Sequence, residues 1–160
     1  MSEERAVQEV LARYVRAVDA RNADGVAELY VEDGAEILSY NRAGTPERIA
    51  AFTGSRAIRD AVANILPPHP ALGWAHHATF DPIIAIHDVT ASLHAQFVVF
   101  EVRGTERPTD GWPPGVSGGQ GTITPIESGY YQISLQRTAD GWKITENHTI
   151  LDLPPALPGR

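Results

Sequence analysis

The spacing of apolar residues changes once along this 160-residue chain, and that change limits the folds open to it. In most of the first 66 residues apolar side chains recur at three- and four-residue intervals, whereas from residue 74 to residue 151 they alternate. The first pattern builds helices with one buried face and the second builds strands. Helices first and a meander of long strands afterwards is the order of an α+β fold, not of alternating βαβ units.

The helical pattern is strongest over residues 3–21, where Val7, Val10, Leu11, Tyr14, Val15 and Val18 form one face. Ser2 is placed to cap it, and Glu3 and Glu4 suit the positive end of its dipole. Asn22, Ala23 and Asp24 break the pattern, and a second, short helix follows, ending before Asp33 and Gly34. Residues 35–40 read as a short strand, and the polar stretch 41–52, with Gly44 and Pro46, as a connection. Over residues 53–66, Ser55 is placed to cap a third helix with Ala57, Ile58, Ala61, Val62 and Ile65 as its apolar stripe; Pro67 and Pro68 stop it.

Strands are expected at 74–80, 82–87, 90–103, 127–138 and 142–151, the last two joined by a turn containing Asp140-Gly141. Residues 105–125, dense in Gly and Pro, read as a long hairpin loop, either a lid or a mobile surface excursion. At this length one core suffices, so residues 1–152 are expected to form a single domain and residues 153–160 an irregular, Pro-rich tail.

Composition excludes several functions. With no Cys, disulfides, thiolate catalysis and Cys-ligated metals drop out together. A net charge of -7 with scattered Lys and Arg argues against a nucleic-acid surface. No apolar run is long enough to cross a bilayer, and the first residues lack a basic start followed by an apolar stretch. The expectation is a cytoplasmic protein with no membrane or nucleic-acid partner.

Three groups of residues carry candidate chemistry. Tyr14 and Asp19, five residues apart on the first helix, differ by about 140° in phase and under about 8 Å in rise, so both can reach one cavity. A carboxylate is an odd choice at the negative end of a helix, although a solvated Asp is the ordinary reading. His76 and His77 lie on one strand, where alternation sends one ring inward. If Trp74, His76, Ala78 and Phe80 share the inner face, His76 is the inward ring, and an Asp partner would fix its tautomer and strengthen it as a base. His94 and Gln96 share one face of the next strand, which looks either into a cavity or onto a polar, dimeric sheet surface. His148 and Glu146 on the last strand pose the same choice. A metal site built from His76, His94 and a carboxylate lacks the usual His spacing.

The segments RYVRAVDARNADGVAELYVEDGAEI, FTGSRAIRDAV, HHATFDPII and GYYQISLQRTADGWKITENH together resemble the SnoaL-like branch of the nuclear transport factor 2-like superfamily. The resemblance implies a cone-shaped α+β barrel, with three N-terminal helices packed on a strongly curved, mainly antiparallel sheet around an internal pocket. In dehydratase-like members, such as scytalone dehydratase, bile-acid dehydratase and dehydrochlorinase, an Asp late in the first helix pairs with a His on the strand after the third helix. Asp19 and His76 match those positions, Tyr14 matches a Tyr of the bile-acid enzyme, and His94 loosely matches a second His of scytalone dehydratase.

The resemblance implies a cofactor-independent, metal-independent general acid/base enzyme: a dehydratase, isomerase or cyclase acting on a hydrophobic small molecule. His76, oriented by Asp19, takes a proton from carbon; Tyr14 or His94 donates one; Trp74, Phe80, Gln96 and His148 line the substrate site. A homodimer is expected, because the open face of such a sheet needs a cover. The competing reading is a non-catalytic binding or interaction module. It takes precedence over a His76 dyad if that ring turns to solvent.

Overall fold

A computed structural model describes residues 1–157. Residues 158–160 of the expected tail lie outside the described residues, and 152–157 form neither helix nor strand. Three helices and six strands follow in the order α1 (Glu3–Asp19), α2 (Ala23–Ala27), β1 (Tyr30–Arg42), β2 (Thr45–Thr53), α3 (Ser55–Ile65), β3 (Gly73–His87), β4 (Thr90–Gly104), β5 (Gly121–Thr138) and β6 (Gly141–Leu151) among the described residues. The strands form one open sheet in the order β2-β1-β6-β5-β4-β3. Every neighbouring pair is antiparallel except β1 with β6. This is the expected α+β architecture, with helices packed on the concave face of a curved sheet and a cavity between the layers.

The apolar face of α1 is Val7, Val10, Leu11, Tyr14, Val15 and Val18, as the spacing predicts, and all six are buried. It packs on the inward residues of the central strands, among them Leu93, Ala95, Phe97, Tyr131, Ile133 and Ile144. Ser2 caps the helix by accepting from the Arg5 amide at 3.2 Å. At the other end Asn22 N–H reaches Ala17 O and Arg21 N–H reaches Val18 O, the paired bonds of a Schellman motif. Arg21 takes the left-handed position, φ 56°, where Gly is usual. Its guanidinium ties the turn down through Val18 O and Pro67 O, each at 2.9 Å. Asn22 then caps α2 through the Gly25 amide, so a single turn serves two helices and fixes where Asp19 points.

Several boundaries differ from expectation. Residues 41–52 do not form an irregular connection: β1 and β2 make a hairpin about Ala43 (φ 51°) and Gly44 (φ 85°), a positive-φ turn that matches strand twist. Because β2 is an edge strand with a largely exposed first half, its sequence reads as loop. The break expected near residue 81 is a bulge inside the continuous β3, where Asp81 has φ 51° and pairing slips between Phe80 and Ile83. Pro82 is tolerated there because β3 is the opposite edge. Residues 121–125, expected in the loop, extend β5 against β4 instead. Ser55 does not cap α3; Gly54 occupies that position and no side chain bonds the helix start.

Candidate active site

Asp19 is the last residue of α1 and its side chain is buried. It meets His77 in three hydrogen bonds: the imidazole Nδ1 lies 2.5 Å from Oδ1, and the His77 amide donates to Oδ1 at 3.2 Å and Oδ2 at 3.1 Å. A carboxylate only accepts, so Nδ1 carries the hydrogen that Asp19 accepts, and in the neutral imidazole the lone pair is on Nε2.

This overturns the assignment of His76 to the inner face. Residues directly opposite one another on paired strands share a face, and His77 is opposite Val99 while His76 is opposite Phe100. Val99 continues the buried row Leu93, Ala95, Phe97, so His77 turns inward and His76 is exposed, together with Trp74, Ala78 and Phe80. Apolar residues on an edge strand's outer face gave the misleading pattern.

The same alternation sends His94 and Gln96 outward, both exposed, because the odd-numbered residues of β4 pack beneath α1. Phe80 is likewise on the outer face. His148 also points away from the cavity and pairs with Ser39 at 2.7 Å, where burial pulls its pKa below the ordinary value. Trp74 stacks against His69, ring centroids 4.5 Å apart, and borders a second cavity. His76 and His94, on the outer face, are not gathered with a carboxylate, and no group of three or more candidate metal ligands forms among the described residues.

His77 lies where two cavities adjoin. The first, about 300 Å³, is enclosed by α1, α3 and the inner faces of β1, β4, β5 and β6, with Pro155, Ala156 and Leu157 of the C-terminal segment in its wall. The second, about 510 Å³, is bordered by Arg21, His69, Trp74 and Arg103. Val18, Leu66, Pro67, His77 and Glu127 belong to both. No residue of 105–120 borders either cavity.

Two further carboxyls face the first cavity, and neither was singled out in the sequence. Glu127 pairs with Val99 from the side opposite His77, so the three form one row across the sheet. Burial raises the Glu127 pKa and His77 nearby lowers it. Glu36 stands on the far wall, where the Tyr14 hydroxyl (3.3 Å), the Tyr30 hydroxyl and the Asn147 amide (3.0 Å) donate to Oε2, and the Thr149 hydroxyl (2.8 Å) donates to Oε1. Burial outweighs these four bonds and lifts its pKa to about 7. Tyr14 is therefore hydrogen-bonded to Glu36, and burial, reinforced by that carboxyl, raises its own pKa well above the ordinary value. The available signal was alternation: Glu36 and Leu38 share a face, and their partners across the β1–β6 pairing are Asn147 and Thr149.

The chain thus sets an Asp-His pair at the wall of a largely apolar cavity between helices and a curved sheet. Residues 1–148 match the SnoaL-like domain family, and the chain belongs to it. Among solved structures, an NTF2-like protein with a cystatin-like fold from Novosphingobium aromaticivorans superimposes with a TM-score of 0.65 at 22% identity, over 96% of this chain and 84% of that one. ActVI-ORFA from Streptomyces coelicolor gives 0.66 at 15%, over 93% and 96%. A structure from Catenulispora acidiphila in complex with S-DNPA gives 0.61 at 18%, over 93% and 92%. At these identities the likeness is one of fold. No curated protein matches the sequence.

Proposed function

We propose that this protein is a cofactor-independent general acid/base enzyme acting on a hydrophobic small molecule, with His77 as the base and Asp19 as its positioning partner. One observation carries the reading: the inward imidazole is held through Nδ1 by a buried carboxylate while its ring borders an apolar cavity. In its neutral form an imidazole held this way presents Nε2 as a proton acceptor, and a positioned base contributes about 10² to 10⁴ in rate. Abstraction from carbon next to a carbonyl, followed by loss of water, a shift of the double bond or ring closure, uses these parts. Dehydratase, isomerase and cyclase are the three outcomes of that first step.

The dyad on His76 fails, since that ring faces solvent; the proposal rests on the neighbouring residue. A second reading, a non-catalytic binding module, draws on a different observation. The His77 backbone amide also bonds Asp19, so the pair doubles as a clamp between the end of α1 and β3. Deuterium uptake separates the two. A panel of apolar ketones and β-hydroxy ketones in D₂O, followed by proton NMR, should show exchange beside the carbonyl with wild-type protein and at least about a hundredfold less with His77→Gln or Asp19→Asn. Tight binding of panel members without exchange of any would put the binding module in its place.

With this reading goes a homodimer in the cytoplasm. Phe80, Ile83 and Tyr130 are exposed on the outer face of the sheet, and a second copy would cover them. Sedimentation equilibrium reads the stoichiometry directly.

A further inference from the structure

Removing a proton from carbon is half of an elimination, because the hydroxyl that departs must receive one. Neither residue expected to supply it is placed to do so. His94 is on the outer face, and the Tyr14 hydroxyl donates to Glu36, with burial raising its pKa well above the ordinary value. Most other titratable groups on the two cavities are also committed. Glu36 accepts four hydrogen bonds, Arg103 pairs with Glu101 at 2.9 Å, Arg21 donates to Val18 O and Pro67 O, and His69 bonds the Asp19 carbonyl at 2.5 Å. Tyr131 is four residues, about 13 Å of strand, from Glu127, and burial lifts its hydroxyl pKa well above the ordinary value.

Glu127 is the exception. Its side chain is half-buried and borders both cavities, and no hydrogen bond or ion pair holds its carboxyl among the described residues. It stands in one row with His77, Val99 between them, so their Cα atoms are two strand spacings, about 10 Å, apart. Burial favours the protonated carboxyl, whereas positive charge on His77 favours the ionised one. An imidazole that has just taken a proton therefore loosens the proton on Glu127 across the row.

We propose that Glu127 is a catalytic proton donor, protonating the hydroxyl that leaves a β-hydroxy ketone while His77 removes the proton from the carbon between the carbonyl and the hydroxyl-bearing carbon. The proposal deepens the acid/base reading and rests on it. The electrons of the broken C–H bond become the carbon–carbon double bond, the C–O bond breaks with its electrons going to oxygen, and the Glu127 proton joins that oxygen to make water. His77 is left as imidazolium and Glu127 as carboxylate, and transfer of one proton from the first to the second through a water restores both. Because both groups border both cavities, the reacting atoms lie at the junction of the two.

Two ketones of one skeleton separate the donor from the base. 4-Phenylbutan-2-one can only exchange protons beside its carbonyl, whereas 4-hydroxy-4-phenylbutan-2-one can also lose water to a conjugated ketone, followed by ultraviolet absorbance. Wild-type protein should exchange deuterium into the first and dehydrate the second, with dehydration falling at high pH as Glu127 ionises. Glu127→Gln should lower the ratio of dehydration to exchange at least about a hundredfold. Having no hydrogen bond to lose, it should keep the wild-type urea midpoint. A second measurement needs no turnover: the Glu127 carboxyl carbon resonance should titrate above the ordinary glutamate range, and higher still in His77→Gln, where the positive charge is gone. An unchanged ratio in Glu127→Gln, a Glu127 titration indifferent to His77→Gln, or dehydration lost in Tyr131→Phe and kept in Glu127→Gln overturns the assignment. Exchange by wild type without dehydration overturns it too and leaves the acid/base reading standing, whereas absence of exchange into both ketones overturns that reading and this role with it.

Discussion

At the scale of single residues, one residue's step along β3 decides which imidazole meets the carboxylate. His76 and His77 are adjacent, yet only His77 meets Asp19. His76→Ala should change stability by no more than about 0.5 kcal/mol, the usual range for an exposed position, and leave ligand affinity unaltered. Asp19→Asn should cost about 1 to 3 kcal/mol in urea denaturation and release the imidazole tautomer, visible as a change in the His77 ring nitrogen shifts. Glu36 sets a pH dependence whose direction can be worked out. Its folded pKa of about 7 lies above the ordinary 4.5, so between those values the folded protein holds a proton that the unfolded chain has released. Stability therefore falls as pH rises from about 4.5 to about 7 and is level beyond, by on the order of 3 kcal/mol for this group alone. Subtracting the Glu36→Gln stability profile from that of wild type should isolate this slope. Asp19 was legible in the sequence as an ill-placed helix-end carboxylate; the correct histidine was not, because face assignment on an edge strand depends on register with β4, which a single strand's own pattern does not contain.

Among the elements, the central strands were the most readable, since buried residues alternate along β4 from Ala91 to Val99 and along β5 from Gly129 to Leu135. The edges were hidden for a physical reason: β2 and β3 each bond only one neighbour, so Pro, Asp and exposed polar residues are tolerated in them and look like loop. Glu36 was missed because its donors come from α1, β1 and β6, a convergence that exists only after β1 pairs in parallel with β6. Gly129 tests how closely these strands are packed. A Cβ there would lie 2.1 Å from Ile150 O and 3.1 Å from the Phe97 ring, and backbone on β6 cannot yield as a flexible side chain can. Gly129→Ala should destabilise by about 3 kcal/mol or more, read as a lowered urea midpoint with unchanged slope.

For the molecule as a whole, the sheet supplies a rigid trough and the helices close it from one side, but the remaining wall comes from Pro155, Ala156 and Leu157, beyond the last strand. Deleting residues 153–160 should leave the urea midpoint near that of the full chain while speeding dissociation of 2-methoxynaphthalene several-fold, measured by stopped-flow fluorescence. Ala156 is exposed in that wall, and the sequence holds no Cys, so an environment-sensitive dye coupled to Ala156→Cys would be the single thiol label and would sit at the cavity rim, a reagentless sensor for screening the compounds the cavity accepts.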